Sequence, residues 1–220
     1  MEKVDYKKEY KDLYLPKTTP MLIQVPKIKF IMVEGCGNPN EEMSDYQKAI
    51  QILYGLSFTI KMSKMGAQKI EGYFEYVVPP LEGLWWQENS QGIDYAHKED
   101  FKWISMIRQP EFVTKEVFDW ACKEAKEKKG LAVDKAKFVE WEEGLCVQCM
   151  HHGSYDAEPA TIQSIEAFIK QNGLENAIGQ VNDKGSSRRH HEIYLSDPRK
   201  TKPESLKTVI RIPVRRKEVC

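Results

Sequence analysis

The run Arg189-His190-His191-Glu192-Ile193-Tyr194-Leu195-Ser196-Asp197-Pro198 gathers the residue types of proton transfer in one short stretch. Read as a strand, its period of two sends His190, Glu192 and Tyr194 to one face and His191, Ile193 and Leu195 to the other. The second face is mostly apolar and asks for a core. The first presents a carboxylate with a phenol two residues on, flanked by cations. A single glutamate on a strand face is ordinarily solvated, so whatever distinguishes Glu192 has to come from elsewhere in the chain.

Other candidate chemistry is weaker. Cys146-Val147-Gln148-Cys149, followed by His151-His152, invites a metal reading, but a metal knuckle needs a turn that brings both thiolates to one side. Here the pair lies in a strand-like run, where an offset of three sends the sulfurs to opposite faces. No second CxxC and no paired histidine spacing completes a ligand set, so neither a metal nor a redox role is expected. GxGxxG, P-loop and GxSxG motifs are absent, which leaves dinucleotide, nucleotide and serine-hydrolase chemistry unsupported and no cofactor implied. The basic strings Arg188-Arg189-His190-His191 and Arg215-Arg216-Lys217 suit anions or solvated strand ends equally well. Trp85-Trp86 falls in a long connection running on to Gly92, where the indoles either pack the loop down or overhang a site.

Composition narrows the class. The 33 basic and 33 acidic side chains cancel, which argues against a nucleic-acid partner. No apolar leader follows Met1 and no window approaches a membrane span. Five cysteines without an export signal fit reduced thiols, so a soluble cytoplasmic protein is expected. The 5 Trp, 10 Tyr, 8 Phe and 8 Met fill either a core or a pocket for a flat hydrophobic ligand, and composition does not choose between them.

The elements that position these residues follow from periodicity. Residues 1–20 read as a charged, tyrosine-rich arm. Strands are expected over 21–32, bent at Pro26, over 69–78, over 101–108, over 145–151, and either side of the turn that follows Pro198. Helices are expected over about 41–64 with Asn40 as cap, over 115–129 between Thr114 and Gly130, and over 158–171. Residues 131–143 fit either a strand or a short helix, and 175–188 a loop. The two halves share an order of strand, turn, helix and two strands, with Ile107-Arg108-Gln109-Pro110 matching Ile210-Arg211-Ile212-Pro213 and Glu75 standing opposite Glu192. The expectation is an α+β fold, a single domain over 1–220, with a first repeat at about 21–110, a connecting segment at 111–143 and a second repeat at about 144–214. Two such units about a pseudo-twofold give an antiparallel sheet with helices on one face and a ligand cleft on the other.

The stretch from Gly144 through Pro159 (GLCVQCMHHGSYDAEP), joined to His191-Glu192-Ile193-Tyr194-Leu195-Ser196-Asp197-Pro198, resembles the GyrI-like small-molecule-binding family. Leu13-Tyr14-Leu15-Pro16 and Met106-Ile107-Arg108-Gln109-Pro110 extend the resemblance to its free-standing bacterial members of this length. It implies the duplicated fold just described and a small-molecule ligand, flat and aromatic or polycyclic, in a central aromatic cleft. It places Glu192 in that cleft, and similar free-standing members are implicated in hydrolytic opening of electrophilic cyclopropanes. On that resemblance Glu192 and Tyr155 become candidate catalytic residues: the first takes a proton from attacking water, the second donates to a carbonyl as the ring opens. Trp85, Trp86, Trp103, Met106, Tyr194 and His152 become candidate ligand-binding residues. The same cleft could sequester a cationic drug without turnover. A gyrase-inhibitor-like interaction role is the remaining alternative, with no protein partner indicated. Ser154 stands where many relatives have proline.

Overall fold

Phe30 and Met32 pack on one side of their strand and Ile31 and Val33 on the other, and all four are buried. A strand covered on both faces needs a core on each side, and the chain supplies two by closing its sheet. The computed structural model describes residues 3–66, 68–88, 93–94, 96–181 and 187–217. In chain order they form α1 (Tyr6–Glu9), α2 (Lys11–Tyr14), β1 (Met21–Cys36), α3 (Asp45–Lys61), β2 (Leu81–Trp86), β3 (Lys102–Arg108), α4 (Lys115–Lys129), β4 (Ala136–His152), α5 (Glu158–Gln171), β5 (Leu174–Asn176), β6 (His190–Tyr194) and β7 (Lys207–Arg216). The strands run β4-β1-β3-β2-β6-β7, all antiparallel, and β7 pairs back onto β4 to close a barrel. The short β5 adds to the end of β7. Among the described residues no helix is long and apolar enough to cross a membrane.

Closure changes where the site lies. The helices lie outside the barrel: α3 and α4 bury Leu53, Leu56, Ile60 and Phe118 against Ile31, Val33 and Ile107, and α5 buries Ile165 and Ile169 against Val147, Ile210 and Ile212. Glu192 lies opposite Gly83 and Ile210 in the register, on this same outer face. The sheet, expected with helices on one face and a ligand cleft on the other, closes into a barrel with helices outside it. The opposite face is the barrel interior, which holds Phe30, Met32, Leu84 and Met106 and leaves a small gap among Tyr14, Glu82, Trp141 and Arg211.

Several element boundaries depart from expectation for identifiable reasons. Residues 69–78 form no strand; Tyr76 only bridges Val4, while Tyr73, Phe74 and Tyr76 gather round Phe112 with ring centroids 5.2, 5.2 and 5.9 Å away. Their aromatic content packs one end of the molecule. Trp85-Trp86 closes β2 instead of lying in a loop, so Gly83, not Glu75, stands opposite Glu192. Glu75 is ion-paired with Lys64 outside the sheet. Residues 136–152 form one strand carried past Gly144 at φ 79°, a conformation glycine adopts without strain. Helix α3 starts at Asp45 because the Ser44 side chain, not Asn40, accepts from the Gln47 N–H; Asn40 N–H instead donates to the Asn38 side chain. Helix α4 has its expected bounds, capped by Thr114 and stopped by left-handed Gly130. The arm is two helical turns whose Tyr6, Leu13 and Tyr14 are buried at one mouth of the barrel. Part of the loop expected at 175–188 is β5, and 182–186 lie outside the described residues.

Candidate functional site

Strand β6 carries the site because its two neighbours, β2 and β7, hold it in the wall of the barrel with its alternate residues facing opposite cores. On the outer face the Tyr194 hydroxyl donates to Glu192 Oε2 at 2.8 Å, and His190 Nε2 lies 3.1 Å from Oε1. The Trp85 indole N–H donates to the Tyr194 oxygen at 2.8 Å. Indole, phenol and carboxylate thus form a directed chain. Gly83 makes the chain possible: a Cβ there would lie 2.6 Å from Trp85 Nε1 and 3.1 Å from the Tyr194 hydroxyl. Tyr155, in the turn before α5, sets its ring edge against Tyr194 with centroids 5.9 Å apart. Burial first, and then the charge of Glu192, pushes the Tyr155 phenol up to about 12, so it is a proton donor at neutral pH. Burial and the same carboxylate raise Tyr194 and, from α3, Tyr46.

The inner face of β6 holds a second ionic cluster, which sequence reasoning left as apolar core. His191 is 1 % exposed. Its Nδ1 lies 3.0 Å from both Glu143 oxygens, and its Nε2 lies 3.0 Å from Glu82 Oε2. With a carboxylate at each ring nitrogen, both nitrogens donate, which makes His191 an imidazolium. Arg211 donates to Glu143 at 2.9 Å, to Gln148 at 3.0 Å and to the Leu13 carbonyl at 2.9 Å. Two acids and two bases balance, as buried charges must. This cluster grips β6 from behind, between His190 and Glu192.

The candidate residues divide. Glu192, Tyr194, Tyr155 and Trp85 come together. Trp103 is buried beneath α3, edge-on to Tyr46 at 5.2 Å, and fits only because Gly35 lacks a Cβ, which would lie 2.3 Å from its ring. Trp86 stands half-buried at the end of β2 with the Arg189 guanidinium 4.6 Å over its ring. Two residues lie elsewhere. Met106 points into the barrel interior with Phe30, Met32 and Leu84, because its place in β3 has the opposite parity to Trp103. His152 is exposed at the end of β4 opposite Lys207. Cys146 and Cys149 are both buried and free, in different cores on opposite faces.

Sequence reasoning missed Tyr46 and Glu158, and placed His190 on the face of Glu192 without giving it a role. Tyr46 sits in the apolar stripe of α3, where a tyrosine reads as core. Glu158 opens α5, three residues after Tyr155 in the turn before it. Glu158, His190 and Glu192 are all buried and offer donor atoms within 4.8 Å of one another, so they could hold a divalent cation. A shallow cleft opens beside them, between α5 and the ends of β2 and β6, lined by Trp85, Trp86, Ile162, Asn176, Arg189 and His190.

No curated protein matches the chain. Three crystal structures from Listeria innocua are similar over nearly its whole length. An uncharacterized conserved protein is 47 % identical with a TM-score of 0.88, over 97 % of this chain and 100 % of that one. A hydrolase is 45 % identical with a TM-score of 0.85 over the same shares. A further hydrolase structure is 46 % identical with a TM-score of 0.86, again over 97 % and 100 %. The pattern of the GyrI-like small molecule binding domain matches residues 18–215, and with a buried carboxylate ringed by phenols on the wall of a closed barrel, the chain belongs to that family.

Proposed function

We propose that this protein binds flat hydrophobic or cationic small molecules over the outer face of β6 and hydrolyses those that carry an electrophilic cyclopropane, a detoxifying reaction. The observation that carries the reading is the convergence on Glu192 of a phenol from its own strand and a second phenol, Tyr155, from the turn before α5. The likeness to Listeria innocua hydrolases supports hydrolytic chemistry. The duplication is part of this reading: the strand sets β1-β3-β2 and β4-β7-β6 would be the two repeats of one domain.

In the reaction, water attacks a ring carbon and Glu192 takes its proton. A carboxylate has about four lone-pair positions, and His190 and Tyr194 occupy two, leaving room for that water. The strained C–C bond breaks, and its electron pair runs through the conjugated system to the carbonyl oxygen. The Tyr155 O–H donates to that oxygen as its charge grows, and the proton on Glu192 returns through solvent, so the net change is addition of one water. Tyr194, held by Trp85, keeps the carboxylate aimed.

A non-catalytic reading draws on a different observation. The charges acting on Tyr155 are all acidic, from Glu192, Glu158 and Asp197, a setting that suits a cationic aromatic ligand held without turnover. One experiment separates the two. Incubation with a spirocyclopropane, followed by chromatography, is expected to yield the ring-opened hydrate. Glu192→Gln should lower the rate by about 10²–10⁴-fold with binding retained, and Tyr155→Phe by about 10²-fold. Turnover undiminished in Glu192→Gln rejects the assignment of the base; binding with no turnover leaves the sequestering role.

A further inference from the structure

Arg189 stands apart from its neighbours. Arg188 donates to the carbonyls of Val214, Glu143 and Leu145 at 2.9, 3.1 and 2.6 Å, and Arg215 pairs with Glu175. Among the described residues, Arg189 has no carboxylate partner and no carbonyl acceptor; its contact is the face of Trp86, 4.6 Å away. It is half-buried and lines the cleft beside the site. Across the cleft, the Asn176 side-chain oxygen accepts from the Ile178 N–H at 2.9 Å, which leaves its NH₂ to donate. Glu166 is exposed on the α5 side of the same cleft and makes no ion pair with Arg189. A guanidinium with five N–H donors, flat on an indole and short of acceptors, matches a planar anion presented edge-on.

The geometry points to an acceptor subsite at the end of the cleft: Arg189, stacked on Trp86 and aided by Asn176, takes a carboxylate or similar planar acidic group at the edge of a flat aromatic ligand. His190, which lines the same cleft as Arg189, has its Nε2 3.1 Å from Glu192 Oε1. A flat ligand in the cleft with its acid on Arg189 would turn its far end toward His190 and the Glu192 carboxylate beside it. The inference rests on the small-molecule reading of this face and deepens it by naming the substituent that sets orientation.

The test uses anthracene-2-carboxylate and anthracene-2-carboxamide, titrated into the full-length protein by tryptophan fluorescence. The acid is expected to bind about tenfold tighter than the amide, as a charge-assisted hydrogen-bonded pair should. Arg189→Gln should bring the acid to the level of the amide, and Arg189→Lys, which keeps the charge but loses the fork, should fall between. Equal binding of acid and amide to the wild-type protein, or a preference that survives Arg189→Gln, overturns the subsite. The outcome is separable from that of the catalytic reading: no spirocyclopropane turnover with the acid preference intact removes the hydrolase and leaves the subsite, and turnover with no preference does the reverse.

Discussion

Two hydrogen bonds, from Trp85 to Tyr194 and from Tyr194 to Glu192, fix the direction of the carboxylate, and both depend on one hydroxyl. Tyr194→Phe should leave the indole N–H without its acceptor and destabilise the protein by about 1–3 kcal/mol, read as a lowered urea midpoint at unchanged slope. Gly83→Ala should act on the same chain from the opposite strand, since its methyl would overlap the indole nitrogen. A loss of about 1–3 kcal/mol is expected from such overpacking, and indole fluorescence should report displacement of Trp85. A variant as stable as the wild type, with unaltered emission, would show that the bond across Gly83 is dispensable. At this scale the sequence was partly legible. Glu192 and Tyr194 share a face by strand parity alone, whereas Tyr46 reaches the same spot only through the docking of α3, which local pattern does not encode. His191 misled, because a histidine among Ile193 and Leu195 carries no sign that Glu82 and Glu143 come from two other strands to meet it.

Helices α4 and α5 could be read from the chain because their starts, stops and apolar spacing are local. Strand β2 could not: Leu81–Trp86 follows Pro79-Pro80 and contains a glycine, and its pairing with β3 and β6 is long-range. The more aromatic stretch at 69–78 out-competed it on propensity, although packing around Phe112, not sheet pairing, is what those rings do. The N-terminal elements were the least legible, since a charged arm of two four-residue turns hides three buried side chains, too few to show a period. They lie ahead of residue 18, where the family match begins, yet Arg211 donates to the Leu13 carbonyl and Gln148 to the Asp12 carbonyl. Deleting residues 1–17 should remove the burial of Tyr6, Leu13 and Tyr14, at roughly 1.5–3 kcal/mol each, and uncover the interior charges. Chemical denaturation should find the shortened chain several kcal/mol less stable or unfolded; a shortened chain of undiminished stability would show that α1 and α2 do not close the barrel.

For the molecule as a whole, the interior cluster sets how stability follows pH. Burial alone would raise the Glu143 carboxyl, but the charges of His191 and Arg211 outweigh it and hold the group down to about 2. Its contribution is complete above the ordinary carboxyl value of 4.5 and is lost as pH falls through about 2. Burial works against the His191 charge, and the Glu143 charge, with hydrogen bonds donated to Glu143 and Glu82, overcomes it, so His191 titrates above its ordinary 6.5. That contribution is complete below 6.5 and is lost as pH rises through the raised value. Urea midpoints taken across pH should therefore be highest between about 4.5 and 6.5, where both contributions are in full. His191→Gln should flatten the decline on the alkaline side; a wild-type profile that keeps climbing through that range would mean that the imidazole is neutral. The pairing of β7 back onto β4 has one more consequence. In a closed ring no ladder is free where a strand is paired on both sides, but among the described residues β1 before Phe30 has no strand on its β3 side and β4 before Cys146 has none on its β7 side. Those margins carry Pro26, Lys27 and Lys29 on one strand and Glu140 and Glu142 on the other, a proline and charges that oppose pairing between copies, so concentrated solutions should resist fibre growth for as long as the ring stays shut.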